Sequence, residues 1–182
     1  MKAYLSEAIG AVRAISDLVP EIALVLGSGL GPLADAIDGV EIPYRDIPHF
    51  PVSTAPGHDG VLLLGTLFGR RCVAMRGRVH MYEGYSAQEV IFPTRLMAAL
   101  GAQTALFTNA AGGIGDLFEV GDLAVIEDHL SLPVACGGDP LRGPNDDTFG
   151  PRFVSMNQAY DPSLISLAQS LDPSLKTGVY AH

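Results

Sequence analysis

A short apolar run followed at once by a glycine-rich loop constrains the fold of this chain most. Ile22 to Leu26 contains only apolar residues, and Gly27-Ser28-Gly29-Leu30-Gly31 comes directly after it. Pro32 then opens a helix-like stretch, and the first helical turn is where proline is best tolerated. A wholly apolar strand is typical of a sheet that is covered on both faces. The segment therefore predicts a buried strand, a loop and a helix, which are the elements of an α/β fold.

The rest of the chain adds strands and helices in alternation. Apolar spacings of three and four predict a first helix over residues 5–19, and the runs at 61–64 and 72–75 predict a hairpin. Residues 104–108, 123–126 and 177–182 are further strand candidates. Ser86 and Glu89 form a capping box that begins a helix, which Pro93 is expected to kink or divide. Because a hairpin lies among the alternating elements, we expect a mixed twisted sheet flanked by helices, in a single domain over residues 1–182.

The net charge and the cysteine content indicate which partners the protein can bind and in which compartment it is found. The formal net charge is −9, from 11 Lys plus Arg against 20 Asp plus Glu. Nucleic acids and anionic membranes attract surplus cationic side chains, so we expect neither as a partner. Cys72 and Cys136 are isolated thiols, which fits a reducing compartment, and we predict a cytoplasmic protein. The histidines have no zinc-like spacing, so we predict no metal.

Two loops and one arginine cluster are candidates for binding an anion. Backbone N–H groups at Gly27 to Gly31, with the Ser28 hydroxyl, either bind an anion at the helix start or belong to a simple turn. Pro32 stands where a dinucleotide fingerprint needs glycine, and the Gly-Lys-Ser/Thr of a triphosphate loop is absent. Asn109 to Gly113 follows another strand candidate and offers a second such loop, unless it is only a cap or turn.

The arginine cluster stands out in an otherwise acidic chain. Arg70, Arg71, Arg76 and Arg78 fall within nine positions. If the strand at 72–75 continues, Arg76, Arg78 and His80 share one face and can contact one anion, because side chains alternate along a strand. The alternative is that these arginines are solvated. His58, after Pro56-Gly57, is either a mobile gate residue or a solvated loop histidine.

Five segments, taken together and in order, closely resemble the trimeric purine nucleoside phosphorylases. They cover nearly the whole chain, and the segment that contains His80-Met81-Tyr82-Glu83-Gly84 is the most specific of them. The five segments are Gly27 to Gly31, His49 to His58, Gly77 to Tyr85, Thr108 to Gly113 and Pro140 to Asp146.

The resemblance implies phosphorolysis of purine ribo- or deoxyribonucleosides to the free base and the pentose 1-phosphate. Inorganic phosphate is then the co-substrate, no cofactor or metal is implied, and the assembly is a homotrimer. Glu83 would orient His80, and both are implied as catalytic. The phosphate-binding residues implied are Ser28, His58, Arg78, His80 and Ala110. The nucleoside-binding residues implied are Tyr82, Asn109, Phe153, which the family lends to a neighbouring subunit, and Tyr180.

One departure from the family concerns the C-terminal end. The chain stops where the family continues with a Gly-Pro-x-Phe-Glu-Thr segment, so we expect about a third of the family domain, including the purine contacts, to be missing from residues 1–182. The alternative function is therefore a non-enzymatic remnant that binds phosphate weakly or packs with a partner. A nucleoside hydrolase is disfavoured, because such enzymes rely on an aspartate-rich calcium site that is not found in this sequence.

Overall fold

The computed structural model of the protein describes residues 1–27, 29–52 and 60–182. Ser28 and His58, both predicted to bind phosphate, lie outside the described residues. The chain divides into two compact units, Met1–Ala111 and Gly112–His182. The assignment of residues 1–182 to a single domain stays a prediction.

The first unit contains a mixed five-stranded sheet. Its strand order is β2-β3-β4-β1-β5, where β1 pairs in parallel with both β4 and β5, and β3 pairs antiparallel with β2 and β4. The strands are β1 (Ile22–Leu26), β2 (Asp38–Pro43), β3 (Val61–Leu67), β4 (Arg70–Arg76) and β5 (Thr104–Phe107). This confirms the predicted mixed sheet, including the β3–β4 hairpin.

Four helices flank this sheet in the described part of the first unit. They are α1 (Lys2–Arg13), α2 (Gly31–Asp35), α3 (Ala87–Val90) and α4 (Phe92–Ala99), with 3-10 turns at Tyr44–Asp46 and Met81–Glu83. The Ser86–Glu89 capping box begins α3 as predicted, and Pro93 lies in the first turn of α4, so the expected helix is divided in two. The first helix ends earlier than its apolar spacing predicts, because Ile15 and Val19 lie beyond α1 and are exposed.

Alternation along the strands builds one hydrophobic cluster on each face of the sheet. Val25 of β1 belongs to the larger cluster, with side chains from α1 and α4, whereas its neighbour Leu24 belongs to the smaller cluster with Ala34 of α2. Neighbouring residues of a strand point to opposite faces, so a run without polar residues supplies both clusters. This explains why β1 is wholly apolar.

The two edges of the sheet differ in character. Edge strand β2, which the sequence pattern did not predict, carries Asp38, Glu41 and Pro43, residues that discourage further strand pairing. Edge strand β5 carries no charge, and its Leu106 and Phe107 are 51% and 55% exposed. A close approach joins β2 to β3, since a Cβ at Gly65 would lie 2.3 Å from the Asp38 carbonyl oxygen.

The second unit has a parallel pair of strands, β6 (Ala124–Leu130) and β7 (Lys176–Ala181), with α5 (Leu132–Ala135) and α6 (Pro162–Leu171). The Asp161 side chain accepts hydrogen bonds from the backbone N–H groups of Ser163 and Leu164, which caps the N-terminus of α6. None of the residues from 101 to 182, all of which are described, is buried. Within the described part of the chain, no helix is long and apolar enough to cross a membrane.

Candidate functional site

Three strands of the first unit end at the same edge of the sheet. Because β1 is parallel to both β4 and β5, the residues that follow these strands meet at the carboxyl ends of the strands, the usual ligand position in open α/β sheets. Gly27 follows β1, Gly77 and Arg78 follow β4, and Thr108 follows β5. The glycine loop, the arginine and the second small-residue loop of the sequence analysis therefore begin side by side.

Arg78 is the cationic group at this edge. Its Nη1 donates to the Thr108 carbonyl oxygen at 2.5 Å, and its Nε lies 3.4 Å from Nε2 of His80, a long contact in which the imidazole nitrogen accepts. Val79, between them in sequence, is buried. The two contacts use two of the five guanidinium N–H donors of Arg78, so the fork can still donate to an anion.

Arg76 does not join this pair, contrary to the alternation expected along the strand. Its Nη2 donates to Oδ1 of Asp35 at 3.0 Å and to Oε1 of Glu41 at 3.1 Å. The strand ends at Arg76, and Gly77 has a φ of +87°, so the two-residue period is broken before Arg78. Arg71 donates to Glu21 and Arg70 lies near the same carboxylate, in agreement with the solvated interpretation for these two.

The 3-10 turn after His80 fixes the main chain there. The backbone N–H of His80 donates to Oε1 of Glu83 at 2.8 Å, and Gly84 ends the turn with a φ of +99°. Glu83 thus holds the His80 backbone, which is the contact by which it can orient this histidine. The ring of Tyr82 is stacked on the His80 imidazole, with centroids 4.8 Å apart, and the Tyr82 side chain is 83% exposed.

Thr108 contacts residues at the ends of all three strands, although no role is predicted for it from the sequence. Its Oγ1 accepts from the Gly27 N–H at 2.8 Å and lies 3.0 Å from the Val25 carbonyl oxygen, to which it donates. Asn109 and Ala110 follow it, and both are exposed. The only sequence signal for Thr108 is a polar residue at the end of an apolar strand.

A buried tyrosine supports the same edge from the core. Tyr44 donates its hydroxyl to the Gly77 carbonyl oxygen at 2.7 Å, and a Cβ at Gly60 would lie 2.0 Å from the Tyr44 ring. Burial raises the pKa of Tyr44 well above its usual value, so the hydroxyl stays a neutral donor. The left-handed residue before Arg78 is therefore held by a fixed hydrogen bond.

Phe153 and Tyr180, the other predicted nucleoside contacts, belong to the second unit. Phe153 is 89% exposed. Tyr180 lies in β7 opposite His129 of β6, with ring centroids 5.2 Å apart, and its ring is also stacked on that of His182. In the part of the chain that the structure describes, no group of three or more His, Cys, Asp or Glu side chains is placed to hold a metal ion.

His129 forms the centre of a hydrogen-bonded chain in the second unit. Its Nδ1 lies 2.6 Å from the Tyr160 hydroxyl, its Nε2 lies 2.9 Å from Nδ1 of His182, and Nε2 of His182 lies 3.2 Å from Oγ of Ser131. Desolvation and the nearby His182 lower the pKa of His129, and Asp128 opposes them. Nδ1 of His182 and Nε2 of His129 can share a hydrogen bond only while one of them is unprotonated.

The second unit is therefore expected to lose stability in acid. A histidine whose pKa is lower in the folded state contributes its full stabilisation to the folded state at pH values above its ordinary pKa near 6.5. This contribution is lost as the pH falls from there through the lower pKa of the folded state. Thermal unfolding measured between pH 8 and pH 5 should show a falling melting temperature that is flatter in His129→Gln. Tyr160→Phe, which removes a hydrogen bond but no imidazole, should keep the slope. An equal slope in His129→Gln would contradict the assignment.

The sequence of the chain matches one protein family and several of its known members. Residues 21–182 match the family model described as the phosphorylase superfamily. The chain is 53% identical to the purine nucleoside phosphorylase of Mus musculus over 143 residues, which are 78% of this chain and 50% of that protein. It is 54% identical to purine nucleoside phosphorylase 1 of Geobacillus stearothermophilus over 142 residues, 78% of this chain and 51% of that protein.

Solved structures agree with these relatives. The Schistosoma mansoni purine nucleoside phosphorylase in complex with acetate superimposes with a TM-score of 0.93 at 40% identity, over 98% of this chain and 68% of that chain. A Schistosoma mansoni purine nucleoside phosphorylase in complex with inosine gives a TM-score of 0.92 at 39% identity, over 98% of this chain and 65% of that chain. The chain belongs to the purine nucleoside phosphorylase family. It spans about half the length of the curated relatives it matches.

Proposed function

We propose that the protein cleaves purine ribo- or deoxyribonucleosides with inorganic phosphate, giving the free base and the pentose 1-phosphate. The observation that carries this proposal is the meeting of Arg78, His80 and the ends of β1 and β5 at one edge of the sheet. A guanidinium fork, an imidazole and backbone N–H groups after a strand are the donors that bind a phosphate dianion.

The residue roles follow the family resemblance. Ser28, His58, Arg78, His80 and the Ala110 N–H hold phosphate in this proposal, and Glu83 orients His80 through the contact with its backbone. Tyr82, Asn109, Phe153 and Tyr180 contact the nucleoside. The exposure of Phe153 is consistent with its donation to a neighbouring subunit of a homotrimer.

The chemistry needs charge and position more than a strong acid or base. The bond from the anomeric carbon to the base nitrogen breaks with its electron pair leaving on the base, and a phosphate oxygen forms the new bond to that carbon. The hydrogen phosphate gives up its proton as it becomes the ester, and the departing base takes up one proton to become the free base. The sugar is cation-like in between, so a phosphate held beside it stabilises the developing charge. Arg78 and His80 hold that phosphate in line, which removes the entropy of bringing it there. Phosphate is the co-substrate, and no cofactor or metal takes part in the proposal.

The decisive experiment is the phosphate requirement of the complete protein. Inosine or guanosine should be cleaved only when inorganic phosphate is added, and ribose 1-phosphate should appear in equal amount to the base. Release of base at the same rate in phosphate-free buffer would mean hydrolysis and would contradict the proposal. Phosphate binding without cleavage would favour the remnant interpretation.

The compartment is a separate proposal. Cys72 is buried and Cys136 is exposed, and both are free thiols. Free thiols of this kind persist in a reducing compartment, which supports a cytoplasmic location. No nucleic acid or membrane partner is proposed, since the net charge of −9 opposes both.

A further inference from the structure

Thr108 contacts both Gly27, the first residue of the glycine loop, and Arg78 at the edge where β1, β4 and β5 end. Its side-chain hydroxyl accepts a hydrogen bond from Gly27, and its main-chain carbonyl accepts one from Arg78. The family resemblance implies no role for Thr108.

On the glycine-loop side, the Thr108 hydroxyl does two things at once. It accepts from the Gly27 N–H at 2.8 Å and donates to the Val25 carbonyl oxygen at 3.0 Å, while the Thr108 N–H donates to that same oxygen at 3.0 Å. A hydroxyl can accept and donate together, whereas a methyl group of the same size can do neither. The first residue of the glycine loop is thus held to β5 through this single oxygen.

On the arginine side, the Thr108 carbonyl oxygen accepts from Nη1 of Arg78 at 2.5 Å. The same oxygen lies close to Gly27, since a Cβ at Gly27 would be 3.0 Å from it. Any side chain at residue 27 would therefore crowd the carbonyl that receives the guanidinium. Gly27 and Thr108 are therefore packed closely together, and Asn109 and Ala110 follow Thr108 directly in sequence.

We propose that Thr108 is a positioning residue of the anion site: its hydroxyl sets the start of the glycine loop relative to Arg78 and the Ala110 loop. The inference rests on the proposed function in that the anion is taken to be phosphate. The residue does not contact the reacting atoms. It acts by keeping the hydrogen-bond donors that follow β1, β4 and β5 at fixed distances from one another.

The test is the pair Thr108→Val and Thr108→Ser in the complete protein. Valine keeps the carbonyl for Arg78 and the shape of the side chain but removes the hydroxyl, and serine keeps the hydroxyl. By isothermal titration with inorganic phosphate, Thr108→Val should raise the Kd at least about tenfold, which is 1.4 kcal/mol. Thr108→Ser should stay within about threefold of the unmodified protein. The KM for nucleoside should change less than the KM for phosphate in both variants.

A matched control separates positioning from general destabilisation. Val12 is fully buried in α1, in the larger cluster, so Val12→Ala should lower the melting temperature while leaving the Kd for phosphate unchanged. An unchanged Kd in Thr108→Val, or equal losses in the valine and serine variants, would overturn the inference.

The outcomes also separate this inference from the proposed function. If the complete protein binds phosphate but cleaves no nucleoside, the proposed function fails, and the Kd values of the two Thr108 variants still decide the inference. If it cleaves nucleoside with phosphate and Thr108→Val behaves like the unmodified protein, only the inference fails. A protein that binds no phosphate overturns both.

Discussion

Arg78→Ala is expected to weaken phosphate binding by about 2–5 kcal/mol, the range for removing one partner of a hydrogen-bonded charge pair. This corresponds to an increase of about 30-fold or more in the Kd or KM for phosphate. The reason is that Arg78 supplies the guanidinium at the edge where β1, β4 and β5 end, and alanine removes both its charge and its bond to Thr108. The measurement is phosphate titration of the complete protein by calorimetry, with the steady-state KM as a second readout.

The matched control for this variant is Arg70→Ala. Arg70 is the first residue of β4, the strand that Arg78 follows. Its side chain is 73% exposed, and its Nη1 lies 3.8 Å from Oε2 of Glu21. Its removal changes the net charge equally but takes away no donor at the strand ends, so phosphate binding should be unchanged. Equal losses in the two variants would show that overall charge, rather than the Arg78 site, governs binding. An unchanged Kd in Arg78→Ala would contradict the assignment directly.

Gly65→Ala is expected to have the largest effect on stability. A Cβ at this position would lie 2.3 Å from the Asp38 carbonyl oxygen and 2.9 Å from Cα of Gly39, and both are backbone atoms that cannot rotate away. The two strands would have to separate, so we expect a loss of about 3 kcal/mol or more in the free energy of unfolding. For a chain of this length that is a fall of roughly 6–12 °C in melting temperature.

Gly10→Ala is the control for this substitution. Gly10 lies inside α1, and a Cβ there meets nothing within 4 Å. Alanine restricts the unfolded chain and favours the helix, so this variant should gain about 0.5–1 kcal/mol. Calorimetry on both proteins gives opposite shifts if the close approach of β2 and β3 is correct. A melting temperature of Gly65→Ala equal to that of the unmodified protein would show that the strands do not approach in this way.

The elements that the sequence predicts well are those whose signals are local. The apolar run and glycine loop at 22–31 can be recognised from the local sequence alone. A wholly apolar run followed by glycines predicts a buried strand and a loop without any information about the strands that pair with it. The Ser86–Glu89 box is equally local, and it begins a helix where expected. The strand β2 was missed because Asp38, Gly39 and Glu41 have low strand propensity. Its pairing comes from β3, through the glycines that face each other at 39 and 65.

The site is less predictable than the fold because its contacts join distant segments. Thr108 meets Gly27 across 81 residues and Arg78 across 30 residues, and neither spacing is visible as a pattern. Alternation along β4 wrongly grouped Arg76 with Arg78, because the left-handed Gly77 lies between them and Arg76 pairs with two carboxylates. The roles of all the site residues came from the family resemblance and remain predictions, and Ser28 and His58 lie outside the described residues.

The uneven burial of the chain has a consequence for its motions. All the buried apolar side chains among the described residues lie between Leu5 and Leu100, whereas none of residues 101–182 is buried. Free energies of local opening follow the apolar surface that an opening exposes. Backbone amides in β6 and β7 should therefore exchange their hydrogens with solvent through small fluctuations, while those in β3 and β4 exchange only when the whole sheet unfolds. Each difference of 1.4 kcal/mol between the free energies of the two kinds of opening changes the exchange rate tenfold. Amides of β6 and β7 should therefore exchange much faster than those of β3 and β4.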